Sequence, residues 1–206
     1  MPIANFFASG PLQLGAKLGP ILWQFPPSMA FDEERFTEFL DLLPKDTEQA
    51  LRQARQADRQ HDGSLEVPHH QKLRHAVEIR HASFLDPAFI KLLRKHKVAL
   101  VFADSAGKWP YAEDLTADFV YLRLHGNKKL YESGYDEDAI DHWHQRIATW
   151  SRGQQPGDAR LVDSRKPRTR ASRDVYCYFD NDLKVRAPYD ALSLIHISEP
   201  TRLRRI

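Results

Sequence analysis

The stretch Phe119–Gly126, FVYLRLHG, decides the fold. Val120, Leu122 and Leu124 fall on one face of an extended segment, and Tyr121, Arg123 and His125 on the other, because successive side chains of a strand point opposite ways. A glycine ends the run. An amphipathic helix follows, with Ile140, Trp143, Ile147 and Trp150 as its stripe and Asp136 as its cap. The charged face of the strand is therefore expected to meet other protein groups as well as water.

Working outward, the same grammar recurs. Upstream, VALVFAD (98–104) is nearly all apolar, as a strand covered on both faces should be. AVEIRH (76–81) places Val77 and Ile79 on one face and Glu78 and Arg80 on the other. Asp86-Pro87 then opens a helix carrying Phe89, Leu92 and Leu93. ILWQF (21–25) is a strand stopped by Pro26 and Pro27, followed by a helix with Asp32 as cap and Phe36, Phe39 and Leu40 at helical spacing. Thr47–His61 reads as a polar helix, and residues 63–73 as loop. Downstream, DVYCYFDND (174–182) places Val175, Cys177 and Phe179 on one face and Tyr176, Tyr178 and Asp180 on the other. The arginine-rich segment 152–173 reads as a mobile surface loop.

Strands alternating with helices imply an α/β fold with parallel strands and helical crossovers. In a barrel of that kind one strand face fills the lumen, and polar residues near C-terminal strand ends point at the mouth. Gln24, Glu78, Arg80, Asp104, Arg123, His125 and Asp180 make up the set expected there.

Composition bounds the function. The chain has 206 residues, 42% of them hydrophobic, and a net charge of +2 from 30 basic and 28 acidic residues. That balance is too even to argue by itself for a nucleic-acid or membrane partner, and it weighs against the nucleic-acid reading. A single cysteine, Cys177, excludes an internal disulfide and a Cys-based zinc site. With no charged-then-apolar signal pattern it fits a reducing cytoplasm. No apolar run approaches the roughly 18 residues of a membrane span, so no membrane partner is expected.

The runs LGPILWQFPP, EIRHASF, FADSAGKWPY, TADFVYLRLHG with LYESGY, and DVYCYFDND, in that order, resemble the YecE-like family, domain of unknown function 72. The resemblance covers residues 5–191. It implies a TIM-type β/α barrel, with Glu78, Arg80, Asp104, Arg123, His125, Asp180 and Asn181 in motif positions, and no established activity. Two departures stand out. The family has three further strands before ILWQF, so about five of eight barrel strands are expected, in a domain spanning 1–191. Leu192–Arg202 resembles the translation of a sequencing-library adaptor, so 192–206 is set apart as an artefactual tail. A five-strand remnant would expose strand edges and be prone to aggregation.

Glu78, His125 and Asp104 are the candidate catalytic groups: a carboxylate held by arginine and a histidine that carries protons. Arg80 and Arg123 offer planar forks to an anion, with Asp180, Asn181 and Gln24 as further binding groups. The chemistry expected is acid–base catalysis on a small anionic or sugar-phosphate substrate at the strand ends. The alternatives are a metal-dependent phosphodiesterase or nucleic-acid-processing barrel, and a non-catalytic barrel whose charges pair for the fold's sake. No tight metal-ligand motif is present and no cofactor is assigned, although Asp180-Asn181-Asp182 has the residue types to take a divalent cation. Trp109, Tyr111, Tyr131 and Tyr135 follow strands, where aromatics either pack a loop down or stack on a base or sugar ring.

Overall fold

The structure is a computed structural model and describes residues 2–57 and 67–198. Two compact units are distinguishable, one from residues 1–23 and 32–76, the other from 24–31 and 77–206.

The first unit holds α1 (Pro2–Ala8), a 3-10 segment (Pro11–Lys17), α2 (Glu33–Leu42) and α3 (Thr47–Ala54). Its core joins Phe7, Ala8, Leu12, Ile21, Ala50 and Ala54, with Trp23, Leu51 and Leu73 packed on it. Asp32 caps α2 by accepting from the Arg35 amide, as its position before the apolar stripe predicts. The helix expected over 47–61 ends at Ala54; 58–61 lie outside the described residues. Within this unit His75 is tied on both sides. Trp23 Nε1 donates to its Nδ1 at 3.1 Å, and its Nε2 lies 2.7 Å from the Pro44 carbonyl.

The second unit holds α4 (Pro87–His96), β3 (Ala99–Asp104), β4 (Phe119–Leu124), α5 (Glu137–Ser151), β5 (Asp174–Phe179) and α6 (Ala187–Ser198). Two further strands, β1 (Ile21–Gln24) and β2 (His75–Glu78), begin in the first unit and end in the second. The fold is α/β, with one sheet in the order β1-β2-β3-β4-β5. β4 pairs parallel with both neighbours: Ala103 lies opposite Arg123 on one side and Tyr178 opposite Arg123 on the other.

Local chemistry explains the elements. Asp86 and Asp136 cap α4 and α5 through the Ala88 and Ala139 amides. α5 buries Ile140, Trp143 and Trp150, and the Trp150 ring packs on Phe102 of β3 at 5.1 Å. The connection from β3 to β4 carries no helix; it runs as loop through residues 105–118.

The segment 152–173 is fastened down rather than loose. Glu113 and Asp114, both fully buried, accept from its backbone: Arg160 N to Glu113 at 2.8 Å, and Val162 N and Asp163 N to Asp114 at 2.8 and 3.0 Å. Arg173 turns back to donate to the Gly153 and Arg168 carbonyls. The arginines signal solvation in the sequence, but two carboxylates 47 to 49 residues away supply the anchor. Residues 192–198, set apart from sequence as tail, continue helix α6 and bury Leu194; 199–206 lie outside the described residues.

Candidate functional site

The C-terminal ends of β1, β2, β4 and β5 bring six of the expected residues together. Glu78 is the hub and is fully buried. Arg80 Nε donates to its Oε1 at 2.9 Å, and Arg123 Nη1 donates to its Oε2. Gln24 Oε1 accepts from Arg80 Nη2 at 2.7 Å and from Arg123 Nη1 at 3.3 Å, so the amide bridges the two guanidinium groups. Arg123 Nη2 pairs with Asp180, whose side chain is 28% exposed and forms the open edge of the cluster. Two carboxylates thus face two guanidiniums, and every one of these charges has an opposite partner within reach, as burial requires.

His125 lies inside this ring with its side chain fully buried. Its Nδ1 is 3.5 Å from Asp180 Oδ2 and its Nε2 is 4.0 Å from Glu78 Oε2. Neither nitrogen has a hydrogen-bond partner. Burial lowers the imidazole below its ordinary pKa, against the pull of Glu78 in the other direction. The ring is held by aromatic edges: Trp109 and Tyr131 each stand at about right angles to it, with centroids 5.4 Å away. Trp109 in turn lies beneath Arg80, whose guanidinium carbon is 3.7 Å from the indole centroid. Trp109 and Tyr131 also meet each other at 6.2 Å, so the two loops pack together around the histidine.

Asp104 is not part of the cluster. Strand-end position predicts that it joins Arg123, but the register sets Ala103 opposite Arg123 and Asp104 opposite Leu124, so Asp104 shares the face of Leu122 and Leu124. An all-apolar strand carries no polar alternation to mark which face is which. Asp104 instead accepts from the Tyr135 hydroxyl at 2.9 Å, and that hydroxyl accepts from the Gly126 amide at 3.1 Å. Burial raises its carboxyl above the usual range, partly offset by the Tyr135 bond. Asn181 also points elsewhere. It is buried, and its Nδ2 donates to Asp190 Oδ2 at 2.7 Å and to the Ser133 carbonyl at 3.0 Å, a structural bridge.

Among the described residues no group of three or more His, Cys, Asp or Glu side chains is placed to hold a metal ion. No helix among them is long and apolar enough to cross a membrane. Cys177 has its thiol pushed up to about 12 by burial, so it stays a thiol.

Residues 1–204 match the family model described as Protein of unknown function DUF72. Among solved structures, a DUF72 family protein of Thermotoga maritima superposes with a TM-score of 0.64 at 22% identity, over 95% of this chain and 64% of that one. Two crystal structures of a DUF72 family protein of Enterococcus faecalis give TM-scores of 0.61 and 0.59 at 16% and 17% identity, again over 95% of this chain and over 64% and 67% of theirs. At such identities the likeness speaks for the fold alone. The chain spans about 64% of the length of the first of these relatives. No curated protein matches it. The family match covers nearly the whole sequence, and the chain belongs to the DUF72 family.

Proposed function

We propose that the cluster around Glu78 is an acid–base site acting on a small anionic substrate, with a sugar phosphate as the representative kind. One observation carries this reading: a fully buried imidazole stands between two carboxylates with both ring nitrogens unbonded. An unmade buried hydrogen bond costs about 1–3 kcal/mol, and a purely structural site would close that gap.

The chemistry follows from which member can move. Glu78 is sealed in by two guanidiniums, while Asp180 sits at the exposed edge on Arg123 Nη2. A phosphate or carboxylate arriving at that edge competes with Asp180 for Arg123 Nη2, while Nη1 stays on Glu78. With Asp180 displaced, His125 Nδ1, on the Asp180 side, faces the arriving substrate and takes its proton, while Glu78, on the Nε2 side, steadies the imidazolium that forms. Arg80, Arg123 and Gln24 bind and orient, and His125 carries the proton with Glu78 beside it.

The sequential strand order and the superpositions support placing this sheet within a TIM-type β/α barrel, as about five of its eight strands. Charged side chains at C-terminal strand ends are where such barrels work.

Melting of the protein with inorganic phosphate and a panel of sugar phosphates tests the reading. A rise in Tm with the wild type that Arg123→Lys removes is the expected result. No shift with any member, or an equal shift in Arg123→Lys, refutes it.

A further inference from the structure

At the C-terminal end of β3 lies a cavity of about 490 Å³, in the range of small-molecule sites. It lies among the residues of the second unit, between the loop after β3 and helix α5. Its lining includes Asp104, Trp109, Tyr111, Asn127, His142 and Trp143. The inference drawn from it stands on this cavity alone and does not use the acid–base reading.

The aromatic walls are fixed. Tyr111 donates its hydroxyl to Glu113 at 2.9 Å and meets Trp143 edge to face at 6.5 Å. Trp109 is clamped from its other side by Arg80. Rigid rings present apolar faces at little entropic cost.

The polar groups are of mixed character. His142 Nε2 accepts from Arg146 Nε at 3.0 Å, which leaves Nδ1 as the ring's donor. Asn127 brings an amide that both donates and accepts. Asp104 is a carboxyl held by Tyr135 that retains acceptor capacity. The Arg146 charge is already matched, by Asp158 at 3.0 Å and Glu113 at 3.3 Å. The cavity therefore offers neighbouring donors and acceptors with no single sign of charge. A string of hydroxyls, each both donor and acceptor, complements such a lining, and the C–H faces of a saturated ring suit indole and phenol walls.

We infer that this cavity is a binding site for a polyhydroxylated ring of monosaccharide size, recognised by its hydroxyls against Asp104, Asn127 and His142 and by its ring face against Trp109 and Trp143. The anionic group of a charged substrate is not needed for binding here.

Tryptophan fluorescence reads occupancy, because two of the four tryptophans line the cavity. The probes are D-glucose, D-galactose, D-mannose and D-ribose, each beside its phosphate. A saturable change with at least one neutral sugar is expected, with Kd raised about tenfold in Asp104→Asn and in Asn127→Ala. Should Asp104→Asn unfold, Asn127→Ala, a loop substitution, carries the comparison. No saturable response to any neutral sugar overturns the inference. So does a response confined to the phosphates, or one that Asn127→Ala leaves unchanged.

Discussion

His125 is the residue on which the account turns, and its environment makes a signed prediction. Burial lowers its pKa below the unfolded value of about 6.5, so the unfolded chain binds more protons in the window beneath that value. Its contribution to stability is then fully present above about pH 6.5 and is lost as the pH falls toward the folded pKa. His75, also lowered by burial, adds a contribution of the same sign. Urea midpoints measured between about pH 7 and about pH 5 should therefore fall with acidification, and His125→Asn should flatten the slope without abolishing it. A slope as steep in His125→Asn as in the wild type would contradict this. Arg123 gives the second residue-scale prediction. Removing it leaves the buried Glu78 with Arg80 alone, so Arg123→Ala should cost about 3 kcal/mol in urea unfolding. A loss below about 0.5 kcal/mol would mean the pair is no better than a surface one.

At the scale of elements, the strands were legible where they alternate and illegible where they do not. FVYLRLHG and AVEIRH carry one charged and one apolar face, and Arg123, His125, Glu78 and Arg80 converge as that pattern implies. VALVFAD is apolar throughout, so nothing in it marked the lumen face, and only pairing with β4 shows Asp104 facing the other way. The caps Asp32, Asp86 and Asp136 were readable because capping is local. The anchoring of 152–173 was not, because Glu113 and Asp114 reach it across the chain. That anchoring is testable. Asp114→Ala frees the amides of Val162 and Asp163 and the bond partners beyond them, so trypsin should cut the arginine-rich segment several times faster than in the wild type. Equal cutting rates would show that the carboxylate does not hold the loop. Gly126, next to His125, has φ +119, and a Cβ there would meet the Lys129 carbonyl oxygen. Gly126→Ala should lower stability by about 1–3 kcal/mol and disturb the Tyr135–Asp104 bond that its amide supports. An unchanged melting curve would argue against the strained turn.

At the scale of the whole molecule, charge separates the functional readings. A net charge of +2 gives little long-range attraction, so the anion capture proposed above would have to come from the local pair Arg123 and Arg80. Affinity for a phosphorylated ligand should then fall with salt with a log–log slope of about one or two, whereas a nucleic-acid groove neutralising many phosphates gives a far steeper one. A steep slope would favour the nucleic-acid reading over the one proposed here. The sequential sheet and the DUF72 likeness supply a scaffold that presents side chains at strand ends. The scaffold does not select the chemistry; the Glu78 cluster and the cavity beside Asp104 are where selection has to be sought. The most direct measurement is an NMR titration of the His125 imidazole nitrogens, with and without a sugar phosphate. A neutral ring with a pKa below about 6.5 that rises when the ligand displaces Asp180 is predicted, and an ordinary titration near 6.5, indifferent to ligand, would contradict the account.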